Sequence, residues 1–132
     1  KNVDGIDYIH ERHPNIFSYV KQEFFKNEEY KRKYEKDYIT VFVFGEGSVN
    51  AGGRVEGIGV RNLFLFEARL ESALAHEILH CLKLRHTHRN GKVESESKYL
   101  FPKGKTDNIM SYNPNRRSLL RWQWEIIRKS IK

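Results

Sequence analysis

Apolar residues in the first third of the chain recur at helical spacing. Ile16, Val20 and Phe24 lie four apart with Phe17 alongside, just after Pro14. The pattern predicts a helix from about Pro14 to Glu35, with those residues on its core face. The period then changes. Tyr38–Phe44 (YITVFVF) is β-branched and aromatic throughout and predicts a buried strand. The glycine-rich stretch Gly45–Gly57 (GEGSVNAGGRVEG) predicts a loop or irregular hairpin. Ile58–Phe66 (IGVRNLFLF) predicts one or two further strands, with Arg61-Asn62 as a turn between them.

A second helix is expected from about Arg69 to Lys83, where alanine, leucine and glutamate favour helix. From Arg85 to Asn108 the chain is polar and loop-like apart from Tyr99–Phe101, and NIMSYNP (Asn108–Pro114) is rich in turn formers. A last helix, about Arg117 to Ile131, offers Leu119, Leu120, Trp122, Ile126 and Ile127 for packing. Trp122 and Trp124 read as core and rim residues. No repeat or linker divides the chain, and 132 residues suit one compact α+β domain.

Composition narrows this little. The 39% hydrophobic and 13% aromatic content is that of a folded chain. No apolar run approaches the ~18 residues that span a bilayer. The chain opens on Lys1, and the expectation is a piece of a longer or processed protein. The single cysteine, Cys81, allows no internal disulfide and reads as a small buried helix residue. The net charge of +7 raises the question of acidic partners. Glutamates alternate with lysines in KNEEYKRKYEK, however, as on a solvated helix face, so nucleic acid is not the expected partner.

The chemistry concentrates in AHEILHCLKLRHTH, Ala75–His88, which holds His76, His80, His86 and His88 of the six histidines. Residues four apart on a helix stand one above the other, so His76 and His80 converge on one point and can share a zinc ion at ~2.0–2.1 Å. Glu77 stands beside that point, where it can take a proton from water on the metal without being a ligand. A third ligand is required. His86, six residues after His80, reaches back if the chain turns sharply near Lys83; His88 is a substitute, and Glu94 or Glu96 a carboxylate alternative. With three ligands the fourth zinc position is open, as in catalytic sites. H-E-x-x-H arises in roughly 2–3% of shuffled chains of this composition, and with the added histidine in roughly 0.1%, which makes chance a poor account of it.

HEILHCLKLRH (His76–His86) resembles the extended H-E-x-x-H-x-x-G-x-x-H motif of the metzincin zinc peptidases, and NIMSY (Asn108–Tyr112) resembles their Met-turn. The resemblance implies that His76, His80 and His86 bind Zn2+, that Glu77 is the general base and that Met110, the single methionine, forms the floor of the site. Tyr112 takes the place of a tyrosine that touches the zinc or the reacting oxygen in some metzincins. One position departs from the motif: Lys83 stands where the family has glycine, a residue that permits positive φ. The fold implied is zincin-like: a small twisted mixed sheet with an N-terminal helix and an active-site helix (about 1–84), then a C-terminal subdomain with the Met-turn and final helix (about 85–132). The Ile58–Phe66 strand precedes the active helix, as the edge strand does in metzincins, and an extended peptide would add to it.

A looser likeness covers Thr106–Ile127, which is similar to the ends of metallopeptidase toxin domains in bacterial polymorphic toxins and type VI secretion effectors. It implies a zinc endopeptidase that is secreted or delivered into a target cell within a larger effector. The expected partners are a protein or peptide substrate and an immunity protein or inhibitor; the chain is expected to be a monomer with no membrane span. Two other readings use the same residues: an amidase or peptidase acting on cell-wall peptide, and a non-catalytic zinc-stabilised module that binds nucleic acid.

Overall fold

The computed structural model describes residues 15–45, 52–67, 71–89 and 97–131. Among these, four helices and a three-stranded sheet are formed. They are α1 (Ile16–Phe25), α2 (Glu28–Tyr34), β1 (Thr40–Val43), β2 (Gly53–Val55), β3 (Asn62–Leu65), α3 (Ala73–Cys81) and α4 (Arg121–Ile131). The architecture is small mixed α+β.

The first expected helix is two. Asn27 ends the run: its side-chain oxygen accepts the amides of Glu29 (3.0 Å) and Tyr30 (3.2 Å), starting a new helix. Glu28 and Glu29 in the first turn of α2 and Lys31, Arg32 and Lys33 in its last turn then complement the helix dipole. Pro14 lies outside the described residues.

The sheet is mixed, in the order β1-β3-β2, with β1 parallel and β2 antiparallel to β3. β3 is thus central, and the expectation that the strand before the histidine helix is an edge does not hold. The edge beside that helix is β2, which grows out of the glycine-rich stretch whose residues 46–51 lie outside the described ones. β3 is buried on both faces, as its unbroken apolar run requires. Phe64 and Phe66 pack against Phe17 of α1, the Phe17 and Phe64 rings stacking at 4.1 Å. Leu63 and Leu65 face the other way, onto Cys81 and Ile78 of α3.

β1 also departs from expectation. Phe42 packs inward on Phe64 and Phe24, but Val41 and Val43 lie on the other face and are exposed, Val43 by 64%. The reason is tertiary: α3 lies over β2 and β3 and leaves β1 uncovered.

A second apolar cluster lies on the other side of α3. Leu79, Leu84, Met110 and Ile127 are buried there, with Leu82, Ile109, Leu119 and Ile126 around them. α3 therefore separates two cores. α4 starts at Arg121 rather than Arg117 because the residues ahead of it pair with the Asn108 turn. Ile109 donates its amide to the Ser118 carbonyl (2.8 Å), and Arg117 and Ser118 both donate to Asp107. Trp122 is half-buried with its ring against Tyr99, and Trp124 is exposed. No described helix is long and apolar enough to cross a membrane.

Phe64 joins α1, β1 and β3 and is fully buried. Phe64→Ala is expected to cost about 3–5 kcal/mol, much of the stability of a domain this size. Urea unfolding followed by tryptophan fluorescence measures it.

Candidate metal centre

α3 supplies two imidazoles through its periodicity. His76 and His80, one turn apart, approach with Nε2 atoms 3.1 Å from each other. The third comes through the turn that ends the helix. Lys83 donates its amide to the His80 carbonyl (3.0 Å) and Leu84 donates to the Leu79 carbonyl (2.9 Å), the paired bonds of a Schellman motif. The hydrophobic contact that accompanies such motifs is Leu84 with Leu79. The motif needs a left-handed residue at the position Lys83 fills, and Lys83 has φ 69°. A side chain there costs about 1–2 kcal/mol. Its stem lies over Gly59, where an added Cβ would come within 3.2 Å of the Lys83 Cγ. Gly59 also donates its amide to the His80 carbonyl, so the reversal is braced from outside the helix.

After this turn the chain runs back, and His86 places its Nε2 3.2 Å from that of His76 and 3.2 Å from that of His80. All three rings are buried. They lie close enough to bind one metal ion. His88 stands outside the triad with its ring centroid 5.1 Å from that of His86, and Glu94 and Glu96 lie outside the described residues.

The far nitrogens decide the protonation state. His76 Nδ1 is 2.7 Å from the Ile109 carbonyl and His80 Nδ1 is 2.8 Å from the Leu84 carbonyl. A carbonyl only accepts, so each Nδ1 carries the hydrogen and each Nε2 presents a bare lone pair. Burial, and then the neighbouring His80, push the His76 pKa down to about 2, which keeps the ring in its neutral, ligating form. A tetrahedral ion with ~2.0–2.1 Å bonds holds its ligand atoms roughly 3.3 Å apart. The observed 3.1–3.2 Å triangle fits such an ion. Imidazole donors suit zinc, copper, iron and nickel.

Glu77, next to His76 on α3, is buried, and the Val55 backbone of β2 favours its charged form. Burial raises its pKa to about 7, against the opposing pull of the Arg116 charge and the Val55 amide. Gly53 permits this approach, since a Cβ there would lie 2.7 Å from the Glu77 Cγ and 3.1 Å from the Phe64 carbonyl. Cys81 lies on the sheet side of α3, its thiol pushed up to about 12 by burial, and behaves as a small apolar residue.

The Asn108–Tyr112 turn closes the site from the other side. Ile109 orients His76, Met110 is buried against Leu79 and Leu84, and the Met110 carbonyl accepts the Thr87 amide (3.2 Å) next to His86. The half-exposed Tyr112 ring is 4.8 Å from the His86 ring, 6.1 Å from that of His76 and 4.6 Å from that of His88.

Three residues that hold this arrangement do not stand out in the sequence. Asn108 and Gln123 form a buried amide pair, with Asn108 Nδ2 donating to Gln123 Oε1 (2.7 Å) and Gln123 Nε2 donating to Asn108 Oδ1 (3.1 Å). The same oxygens accept the Met110 and Leu120 amides, so the pair fixes the turn to α4. A signal existed: Gln123 sits three and four residues from Leu119, Leu120, Ile126 and Ile127, a polar group on an apolar stripe. Arg116 is the third. It donates to Ser72 Oγ (3.0 Å) and to the Ser111 carbonyl (2.9 Å), and only the folded chain brings those partners together.

In comparison with known proteins, no family model, curated protein or solved structure matches this chain.

Two outcomes follow from the geometry. Gln123→Leu leaves the Asn108 amide and the Leu120 amide without their partner; a loss of about 2–4 kcal/mol is expected in urea unfolding. A metal affinity lower by about 10–100-fold is expected as the Ile109 carbonyl loosens its hold on His76. The second concerns Glu77. With its pKa about 7 against an ordinary 4.5, the folded metal-free protein keeps a proton that the unfolded chain has released. Stability is therefore lost as pH rises from the lower value to the higher. Glu77→Gln removes this penalty. In EDTA the variant is expected to be more stable than wild type at pH 8, by on the order of 2 kcal/mol, and to lose the advantage near pH 4.

Proposed function

We propose that this chain is a metzincin-type zinc endopeptidase, with His76, His80 and His86 as ligands, Glu77 as general base and Tyr112 as a donor to the developing oxyanion. The observation that carries the reading is the triangle of three imidazole Nε2 atoms, with the buried, non-ligating carboxylate of Glu77 next to His76 on α3. Three imidazoles leave a tetrahedral ion one open position, the arrangement of catalytic rather than structural zinc. The left-handed turn at Lys83 and the buried Met110 add to the likeness. Zinc would supply Lewis acidity, lowering the pKa of water and polarising the scissile carbonyl.

The protein's own groups account for the rest. Glu77, its pKa near neutrality, takes the proton of the attacking water and returns it to the departing amine. The Tyr112 hydroxyl hydrogen-bonds to the oxyanion, a role worth about 3–4 kcal/mol for a well-placed donor. An extended peptide would lie along the outer edge of β2, the edge strand beside α3. The biological setting we propose, an effector toxin domain delivered to a target cell and restrained by an immunity protein, rests on the likeness of Thr106–Ile127 to toxin domains.

Zinc stoichiometry and casein cleavage test the reading. Wild type and Glu77→Ala are both expected to bind one ion per chain, with cleavage lower by about 10²–10⁴-fold in the variant. Undiminished cleavage by Glu77→Ala, or a wild type that binds no zinc, overturns it.

A further inference from the structure

Arg116 lies four residues beyond Tyr112, and its planar head bridges the two walls of the site. Nε donates to Ser72 Oγ just ahead of α3, and Nη1 donates to the Ser111 carbonyl next to Tyr112. Those are its polar contacts among the described residues, so the Nη2 edge has no protein acceptor there. Nor does a carboxylate pair with it: the ion pairs among the described residues are Lys21 with Glu56 and Lys26 with Glu23. The guanidinium is nevertheless half-buried, and its charge is felt at His76 and at Glu77. Glu77 is therefore within electrostatic reach but beyond ion-pair distance.

A guanidinium in this position has an uneven set of partners. Two of its nitrogens are fixed by neutral oxygens, which set the plane of the fork. Among the described residues the third nitrogen meets no acceptor, and Glu77 acts on the charge only from beyond ion-pair distance. Keeping a charge half out of water without a counter-ion is unfavourable, and a carboxylate arriving from solvent would relieve it with charge-assisted, geometrically specific bonds. Arginine suits this better than lysine because its fork is rigid and always charged. The net charge of +7 would favour the approach of acidic chains.

Building on the peptidase reading, we propose that Arg116 is a specificity-determining residue that receives a carboxylate of the substrate next to the scissile bond. The carboxylate belongs to an aspartate or glutamate side chain or to the end of the cleaved chain, two sources of one chemistry. Arg116 then selects which bond is presented to Glu77, while its contacts to Ser72 and Ser111 keep the fork from turning away.

The test uses zinc-loaded full chain and a randomised decapeptide library, made both as C-terminal acids and as amides, with cleavage sites read by mass spectrometry. An acidic residue is expected at one position within two residues of the cut. Replacing it by its amide should lower kcat/KM by about 10–100-fold in wild type and by less than about threefold in Arg116→Gln. Because Arg116 also braces the site, the preference is read as the ratio of the acidic to the neutral peptide within each protein, not from the absolute rate. Arg116→Lys, which keeps the charge without the fork, should retain part of the preference. If the preference follows the free C-terminus instead of a side chain, the carboxylate is the terminal one.

A second measurement leaves Arg116 intact. In zinc-loaded Glu77→Ala protein, the Arg116 Nε–Hε resonance should shift on adding Ac-Gly-Ala-Asp-Ala-NH2 and not on adding its asparagine counterpart. Cleavage without acidic preference, or a preference unchanged in Arg116→Gln, overturns this proposal and leaves the peptidase reading standing. A wild type that cleaves nothing while the resonance still responds overturns the peptidase reading and leaves the carboxylate site. A resonance indifferent to both peptides overturns the site.

Discussion

Three imidazole Nε2 atoms meet at one point, and most of the structure around α3 serves to hold them there. The Nε2 atoms are 3.1–3.2 Å apart with no hydrogen on those of His76 or His80. Water could relieve such crowding, but the rings are buried. A divalent cation would relieve it, and the backbone is arranged to suit one. The carbonyls of Ile109 and Leu84 select the tautomers before any ion arrives.

This arrangement depends on a reversal of the chain at a residue poorly suited to it. The Schellman turn at Lys83 converts a six-residue separation between His80 and His86 into a shared point in space. The unfavourable φ is offset by two amide bonds to the His80 carbonyl, by Leu84 entering the core and by Gly59 making room for the lysine stem. The chemistry of glycine is absent here, but the backbone angle it usually provides is present. Beside the turn, Glu77 is subject to opposed influences: burial favours its proton, while Arg116 and the Val55 amide favour its charge.

Local spacing was enough to expect His76 and His80 to meet, because i,i+4 is a property of one helix. His86 was expected to join them only if the chain turned sharply near Lys83, with His88, Glu94 and Glu96 as alternatives. A strand within Ile58–Phe66 was legible from its apolar run, but it was expected at an edge of the sheet. What failed depended on distant parts of the chain. VFV in β1 looks buried from its side chains alone, yet its exposure depends on α3 lying over the other two strands. That β3 is central depends on where β2 pairs. Asn27 was missed because its cap is hidden in a charged, helix-compatible stretch. Gln123 carried a readable contradiction, a polar group on an apolar stripe, whereas Arg116 carried none.

The carbonyl of Leu84 and the carbonyl of Ile109 each belong to a residue of the lower hydrophobic cluster, together with Leu79, Met110 and Ile127. The tightness of that cluster would thereby be passed, through two rings, to an ion held there. A methyl group removed beneath the site, far from any ligand atom, would be read out as a faster departure of the ion, so its residence time would act as a gauge of how well the oily interior below is filled.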